Sequence, residues 1–177
     1  GLPFFVLDAQ LISRRTKPLV IAGPPGLEMR IRDAMEVLFP GSSIVTQKFS
    51  LRFVELNDKQ ATRIGSLVVK PYCVVHESGA PAYALRVDCS GKTIAYSGDT
   101  EWADSLLGAA RGTDLFICEA YFFEKKIKYH LNYQTLLAHR TQLGCQRLIL
   151  THMNDDMLAR LGSIDAEYAE DGKKLVL

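Results

Sequence analysis

Two stretches of this sequence, DLFICEA (residues 114–120) and RLILTH (residues 147–152), run apolar for four and three consecutive residues and then stop on a polar side chain. A strand that is apolar on both faces must be covered on both, which is the signature of a sheet flanked by helices. Helical stripes separate these runs: residues 103–110, residues 133–143 ended by Gly144, and residues 155–161. Upstream the texture is different. FSLRFVEL alternates, SLVVKPYCVV is rich in β-branched residues, and AYALRVD and KTIAYSG are joined by Cys89-Ser90-Gly91, which has the form of a hairpin turn. Strands first and βαβ units afterwards predict an α/β (α+β) chain with helices packed outside the sheet.

The first forty residues add a helix over residues 2–12, a short buried strand at LVIAG, and a helix over residues 27–39 that Pro40-Gly41 stops. KKLVL near the end reads as a last edge strand. With 177 residues and 47% hydrophobic content, the chain has the material for one domain with a packed core. Its 21 basic and 20 acidic side chains nearly cancel, so no general field draws it to nucleic acid or an anionic membrane. No apolar run reaches the ~18 residues of a membrane span. The four cysteines, Cys73, Cys89, Cys118 and Cys145, form no CxxC pair and no tight framework, which points to reduced thiols and a cytosolic protein.

Chemistry-bearing side chains recur at strand ends. His76 follows YCVV, Asp99 follows TIAYSG, and His152 follows RLILT. At such ends side chains leave the core for a common rim, where ligands collect in sheets of this kind. Two imidazoles and a carboxylate there would suit zinc or another borderline divalent ion. A helix N-cap is the competing reading of Asp99 or Thr100. His130 follows the basic segment EKKIKY and precedes a helix that Asn132 could cap, so its neighbourhood could hold an anion or be an ordinary solvated loop. His139 reads as structural or exposed. Glu119 closes DLFICE, where it could orient a metal-bound histidine or satisfy loop amides.

The order of HESGAPAYAL, IAYSGDT, DLFICEAYFF, YHLNYQTL and RLILTHM resembles the metallo-β-lactamase superfamily, in particular its ribonuclease Z-like and phosphodiesterase branch. The resemblance implies an αββα sandwich. It implies His76, Asp99 and His152 as metal ligands, with Asp99 bridging two Zn2+ ions and Mn2+ as an alternative metal. Asp99, His130 and Glu119 are the implied catalytic residues. The family's His-Glu-Ala-Thr segment reads Cys118-Glu119-Ala120-Tyr121 here, without its histidine, while His130 retains the later histidine as a proton donor.

The superfamily's H-x-H-x-D-H signature is absent, and a segment like GLPFF follows it in relatives. The expectation is therefore an N-terminally truncated sandwich that lacks its first third and four metal ligands. Two protein donors per metal fall below the three that catalytic zinc keeps, which predicts weak or absent zinc and poor catalysis for this chain alone.

For an intact site the implied reaction is phosphodiester hydrolysis by a hydroxide held between two metals. A small phosphodiester is favoured over tRNA, since no long Gly/Pro-rich arm lies between Gly26 and His76. The rivals are a lactone or thioester hydrolase and a non-catalytic binding or scaffold domain of the same fold. Exposed strand edges would also favour association of the chain with itself.

Overall fold

The β-branched and aromatic runs become nine strands in the computed structural model, which describes residues 1–177. The chain divides into two compact units, Gly1–Leu56 and Asn57–Leu177.

In the first unit, α1 (Leu2–Leu7) carries Pro3 in its first turn, where a fixed φ and a missing N–H are tolerated. The predicted helix over residues 2–12 is not uniform. Past Leu7 it widens into a π-helical turn, Asp8–Ile12, which Arg15 closes by donating its N–H to the Ala9 carbonyl at 2.7 Å. Strand β1 (Leu19–Gly23) and β2 (Leu51–Glu55) pair in parallel, joined through α2 (Leu27–Leu38). This helix ends one residue earlier than the sequence pattern suggests, because Phe39 precedes Pro40 and is pushed out of helical backbone to φ −145°. Val6, Ile21, Leu27, Ile31 and Met35 form the unit's core.

The second unit is a seven-stranded sheet in sequential order: β3 (Thr62–Ile64), β4 (Leu67–Cys73), β5 (Tyr83–Cys89), β6 (Lys92–Tyr96), β7 (Leu115–Glu119), β8 (Arg147–Thr151) and β9 (Glu167–Tyr168). Pairing is antiparallel from β3 to β6 and parallel from β6 to β9. Ser90 (φ 52°) and Gly91 (φ 80°) make the two-residue β5–β6 turn, as the hairpin reading expected. Pro71 is tolerated within β4 because its carbonyl faces Lys59, beyond the last residue of β4 that β3 pairs with, so the missing donor leaves no ladder bond unmade.

Helix α3 (Ser105–Ala110) links β6 to β7, α4 (Tyr133–Ala138) and α5 (Arg140–Leu143) link β7 to β8, and α6 (Asp155–Leu158) follows β8. Leu106, Ala109, Leu136 and Leu143 from these helices share one buried cluster with Phe116, Cys118 and Leu150 of the sheet. Burying a side chain such as Phe116 contributes about 1.5–3 kcal/mol. Helix α3 lies close enough to β4 that a Cβ on Gly108 would sit 2.8 Å from the Tyr72 ring.

Three local predictions need correction. The helix over residues 133–143 breaks at His139, whose imidazole stacks on Trp102 with centroids 3.8 Å apart. The helix at residues 155–161 stops at Leu158 and gives way to a 3-10 turn, Leu161–Ser163. KKLVL is not a strand. The edge position belongs to β9, which Arg147 holds through two bonds to Glu167 at 2.6 and 2.7 Å, and Lys173 of KKLVL instead donates to the Tyr168 carbonyl.

The turn leaving β6 depends on Gly98. Its φ is +63°, and a Cβ there would meet the Tyr83 carbonyl oxygen at 3.0 Å. Gly98→Ala is expected to lower stability by about 1–3 kcal/mol. A denaturant titration checks this, and an unchanged midpoint would contradict it.

Candidate metal centre

Parallel pairing brings the carboxyl ends of β6, β7 and β8 side by side, with Tyr96 opposite Ile117 and Glu119 opposite Thr151. Asp99 leaves the end of β6, Glu119 ends β7, and His152 is the residue after β8. His76 reaches the same region from the segment after β4, where the Glu101 N–H donates to the Val75 carbonyl at 3.1 Å.

Glu119 is the buried anchor of the rim, with only 1% of its side chain exposed. One carboxylate oxygen accepts the Thr100 N–H in a short bond, and the other lies 3.0 Å from His130 Nδ1. Its own N–H donates to Ser97 Oγ at 2.9 Å, and that hydroxyl donates to the Gly98 carbonyl at 2.7 Å. Burial pushes the Glu119 carboxyl up to about 7, against the lowering effect of the Thr100 and Leu131 amides. Glu119 is thus bonded both to the Thr100 amide and to the imidazole of His130.

His130 is carried by the loop between β7 and α4. Tyr121 N–H donates to the Leu131 carbonyl and Tyr133 N–H to the Phe122 carbonyl, both at 2.8 Å, which zips the loop's two ends together. Asn132 caps α4 as anticipated, its side-chain oxygen taking the Thr135 N–H at 2.8 Å. Asp99 and Thr100 do not cap α3. The residue preceding that helix is Asp104, which makes no side-chain cap bond, and the Thr100 hydroxyl instead accepts the Val75 N–H.

The side chains of Asp99 and His152 are 38% and 41% exposed, so they face outward from this support, with the carboxylate 3.7 Å from His152 Nε2. His152 has φ +53°, a costly backbone for a non-glycine residue that redirects its side chain at the end of β8. One donor atom each from Asp99, His130 and His152 lie within 4.8 Å of one another. Two imidazole nitrogens and a carboxylate oxygen match the chemistry of a zinc-type site, so the residues present fit a divalent ion. His76 stands next to this trio, its ring 5.8 Å from that of His130 and 5.6 Å from that of Tyr129. His139, stacked on Trp102, lies outside the cluster.

Sequence reasoning assigned no role to the aromatic wall of the site. Tyr121 stacks on His130 at 4.6 Å and tilts against His152 at 5.1 Å, so one ring packs against both imidazoles. Tyr129 (φ +70°) gives its N–H to Glu101 and its hydroxyl to Glu77 at 2.5 Å. The available signal was proximity: Tyr121 is two residues past Glu119, Tyr129 precedes His130, and Glu101 is two residues past Asp99.

With this geometry in place, a family model for the β-lactamase superfamily domain matches residues 6–153. The chain belongs to the metallo-β-lactamase superfamily. An uncharacterized protein of Mycobacterium tuberculosis is 35% identical over 100 residues, covering 54% of this chain and 36% of that protein, so the match spans about a third of the relative's length. The crystal structure of the short form of human tRNase Z superposes with a TM-score of 0.66 at 22% identity, covering 88% of this chain and 68% of that one. Zn(2+)-bound PqqB from Methylobacterium extorquens superposes with the same TM-score, 0.66, at 14% identity, covering 93% and 67%. These likenesses establish the metallo-β-lactamase fold for this superfamily member. None of its helices is long and apolar enough to cross a membrane.

The raised carboxyl of Glu119 has a signed consequence. Because the folded state holds this proton more tightly than the unfolded chain, the associated stability is complete below the ordinary carboxyl value of 4.5 and is lost as pH rises to about 7. The stability of the wild type relative to Glu119→Gln should therefore fall across that window and level off above it. Denaturant unfolding of both proteins between pH 4 and pH 8, the range that brackets the two values, checks this, and a constant difference would contradict it.

Proposed function

We propose that this site belongs to a metal-dependent phosphodiester hydrolase acting on a small substrate, such as a cyclic nucleotide or related ester, rather than on tRNA. The observation that carries the reading is the convergence of Asp99, His130 and His152 donor atoms within 4.8 Å, with buried Glu119 behind His130. The names of the superposing structures support the class: one is named as a tRNase, and PqqB is titled as zinc-bound. The near-neutral charge supports a small substrate, since a polyanion would be served by a strong basic field. Four free cysteines support a reducing, cytosolic setting.

Asp99 and His152 would hold the divalent ion, zinc or manganese, with His76 close by. Such an ion supplies a more acidic attacking water and offsets the charge developing on the phosphoryl oxygens. His130 carries a proton to the leaving oxygen. Glu119 fixes the ring of His130 through the hydrogen bond at Nδ1, which leaves Nε2 as the nitrogen that can exchange a proton with substrate. Tyr121, packed on both imidazoles, restricts their rotation and keeps bulk water from that side.

A second reading has its own support. The 4.8 Å grouping includes His130, so His130 could serve as a third metal donor and bring one ion to the three-ligand count. The sequence-based count of two donors per metal reserved His130 for proton transfer. Metal analysis separates the two readings.

With zinc supplied to the full-length protein, a panel of phosphodiester, lactone and thioester substrates should show turnover of the phosphodiester, and preference for either of the other two would overturn the reading. Asp99→Ala should lose metal and activity together. His130→Ala should lower kcat by roughly 10²–10⁴-fold while retaining metal. Loss of metal from His130→Ala would favour the ligand reading, and full turnover by it would exclude both.

A further inference from the structure

His130 also borders a second space. A cavity of about 170 Å³ opens beside it, walled by Trp102, Ile127 and Leu131 and carrying the polar groups of Glu101, Lys126, Asn132 and Thr135. At roughly 30 Å³ per water this holds about five or six waters, which is the bulk of a single hydroxylated ring.

Its walls are already set. The Trp102 indole stacks on His139 at 3.8 Å with planes 11° apart, and its Nε1–H donates to Asp104 at 3.1 Å. Asn132 is 4% exposed and has its side-chain oxygen committed to the Thr135 N–H, so its NH2 group is the remaining donor. Glu101 has one oxygen committed to the Tyr129 N–H, leaving the other as an acceptor. Lys126 contributes an exposed ammonium. Little ordering is then required when a ligand enters.

The combination is selective. Beside a carboxylate, a second phosphate would meet like-charge repulsion. A neutral ring with several hydroxyls finds an acceptor in Glu101, donors in Lys126 and Asn132, and an apolar wall in Trp102 and Ile127. Hydroxyls bonded to charged partners gain about twice the strength of neutral pairs.

We infer that this cavity is the subsite for the leaving alcohol of the substrate, a neutral pentose-sized ring such as the sugar of a nucleoside. The inference rests on the proposed phosphodiester reading, because His130, which would protonate the leaving oxygen, borders both the donor cluster and the cavity. The atoms beyond that oxygen then enter the cavity. Lys126 and Glu101 act as specificity residues.

Trp102 is the sole tryptophan of the chain, so its fluorescence reports on this cavity alone. Adenosine titrated into the full chain should change that fluorescence saturably, and calorimetry should return the same affinity. Lys126→Ala and Glu101→Gln should each weaken it at least fivefold. Inorganic phosphate should neither reproduce the change nor displace adenosine. The inference is overturned by the absence of adenosine binding in both measurements, by affinities unchanged in both variants, or by phosphate competing at Trp102, which would make the cavity an anion site. Binding requires no metal and no turnover, so adenosine binding by a full-length protein that hydrolyses no phosphodiester with zinc supplied would sink the functional reading instead.

Discussion

One buried carboxylate organises this protein's rim. Glu119 sits at the end of a central parallel strand with almost no contact with water, a position that is costly for an acid unless its oxygens are bonded. Its partners are the amide that follows Asp99 and the imidazole of His130. The SGDT turn and the His130 loop are therefore tied to a single side chain. Ser97 completes the arrangement by bonding both Glu119's amide and Gly98's carbonyl. Loss of the Glu119 carboxylate would leave Thr100's buried N–H and His130's Nδ1 without partners, and an unmade buried bond costs more than a made one contributes.

The sheet makes this arrangement possible because its second half is parallel. In a parallel ladder, neighbouring strands finish at the same edge, so Asp99, Glu119 and His152 arrive together. The backbone there is unusual in three places: Gly98, Tyr129 and His152 all have positive φ. Such conformations persist only where the surroundings determine them, and the surroundings here are the Tyr83 carbonyl, the two glutamates that hold Tyr129, and the Tyr121 ring. The rim thus carries two strained non-glycine residues, Tyr129 and His152, on a well-packed sheet, with Phe116 and Leu150 wholly buried beneath it. That separation lets donors be held at fixed spacing without ordering paid for at each encounter.

Much of this was legible before the fold was known, for identifiable reasons. Strand ends could be read because apolar runs stop abruptly at His76, Asp99 and His152. Glu119 was visible as another such ending, but its partner was not, since His130 lies eleven residues away across a loop with no periodicity. The edge strand was misassigned to KKLVL because β9 has only two residues, too few for any alternation to show. The helix over residues 133–143 was expected to be continuous because its apolar stripe is continuous, and the stack of His139 on Trp102 that interrupts it joins residues far apart in sequence.

By itself the sequence determined the α/β character, the glycine at the Asp99 turn, and which residue types could meet at a rim. These follow from local periods of burial and from turn chemistry, each written within a few consecutive residues. Only the tertiary structure decided that His130 joins Asp99 and His152, that Tyr121 packs against both imidazoles, and that Trp102 and Lys126 enclose a cavity beside them. Those facts depend on strand register and on how a thirteen-residue loop, 120–132, closes back on β7. Register and closure are set by packing between segments distant in the chain, which no local pattern contains.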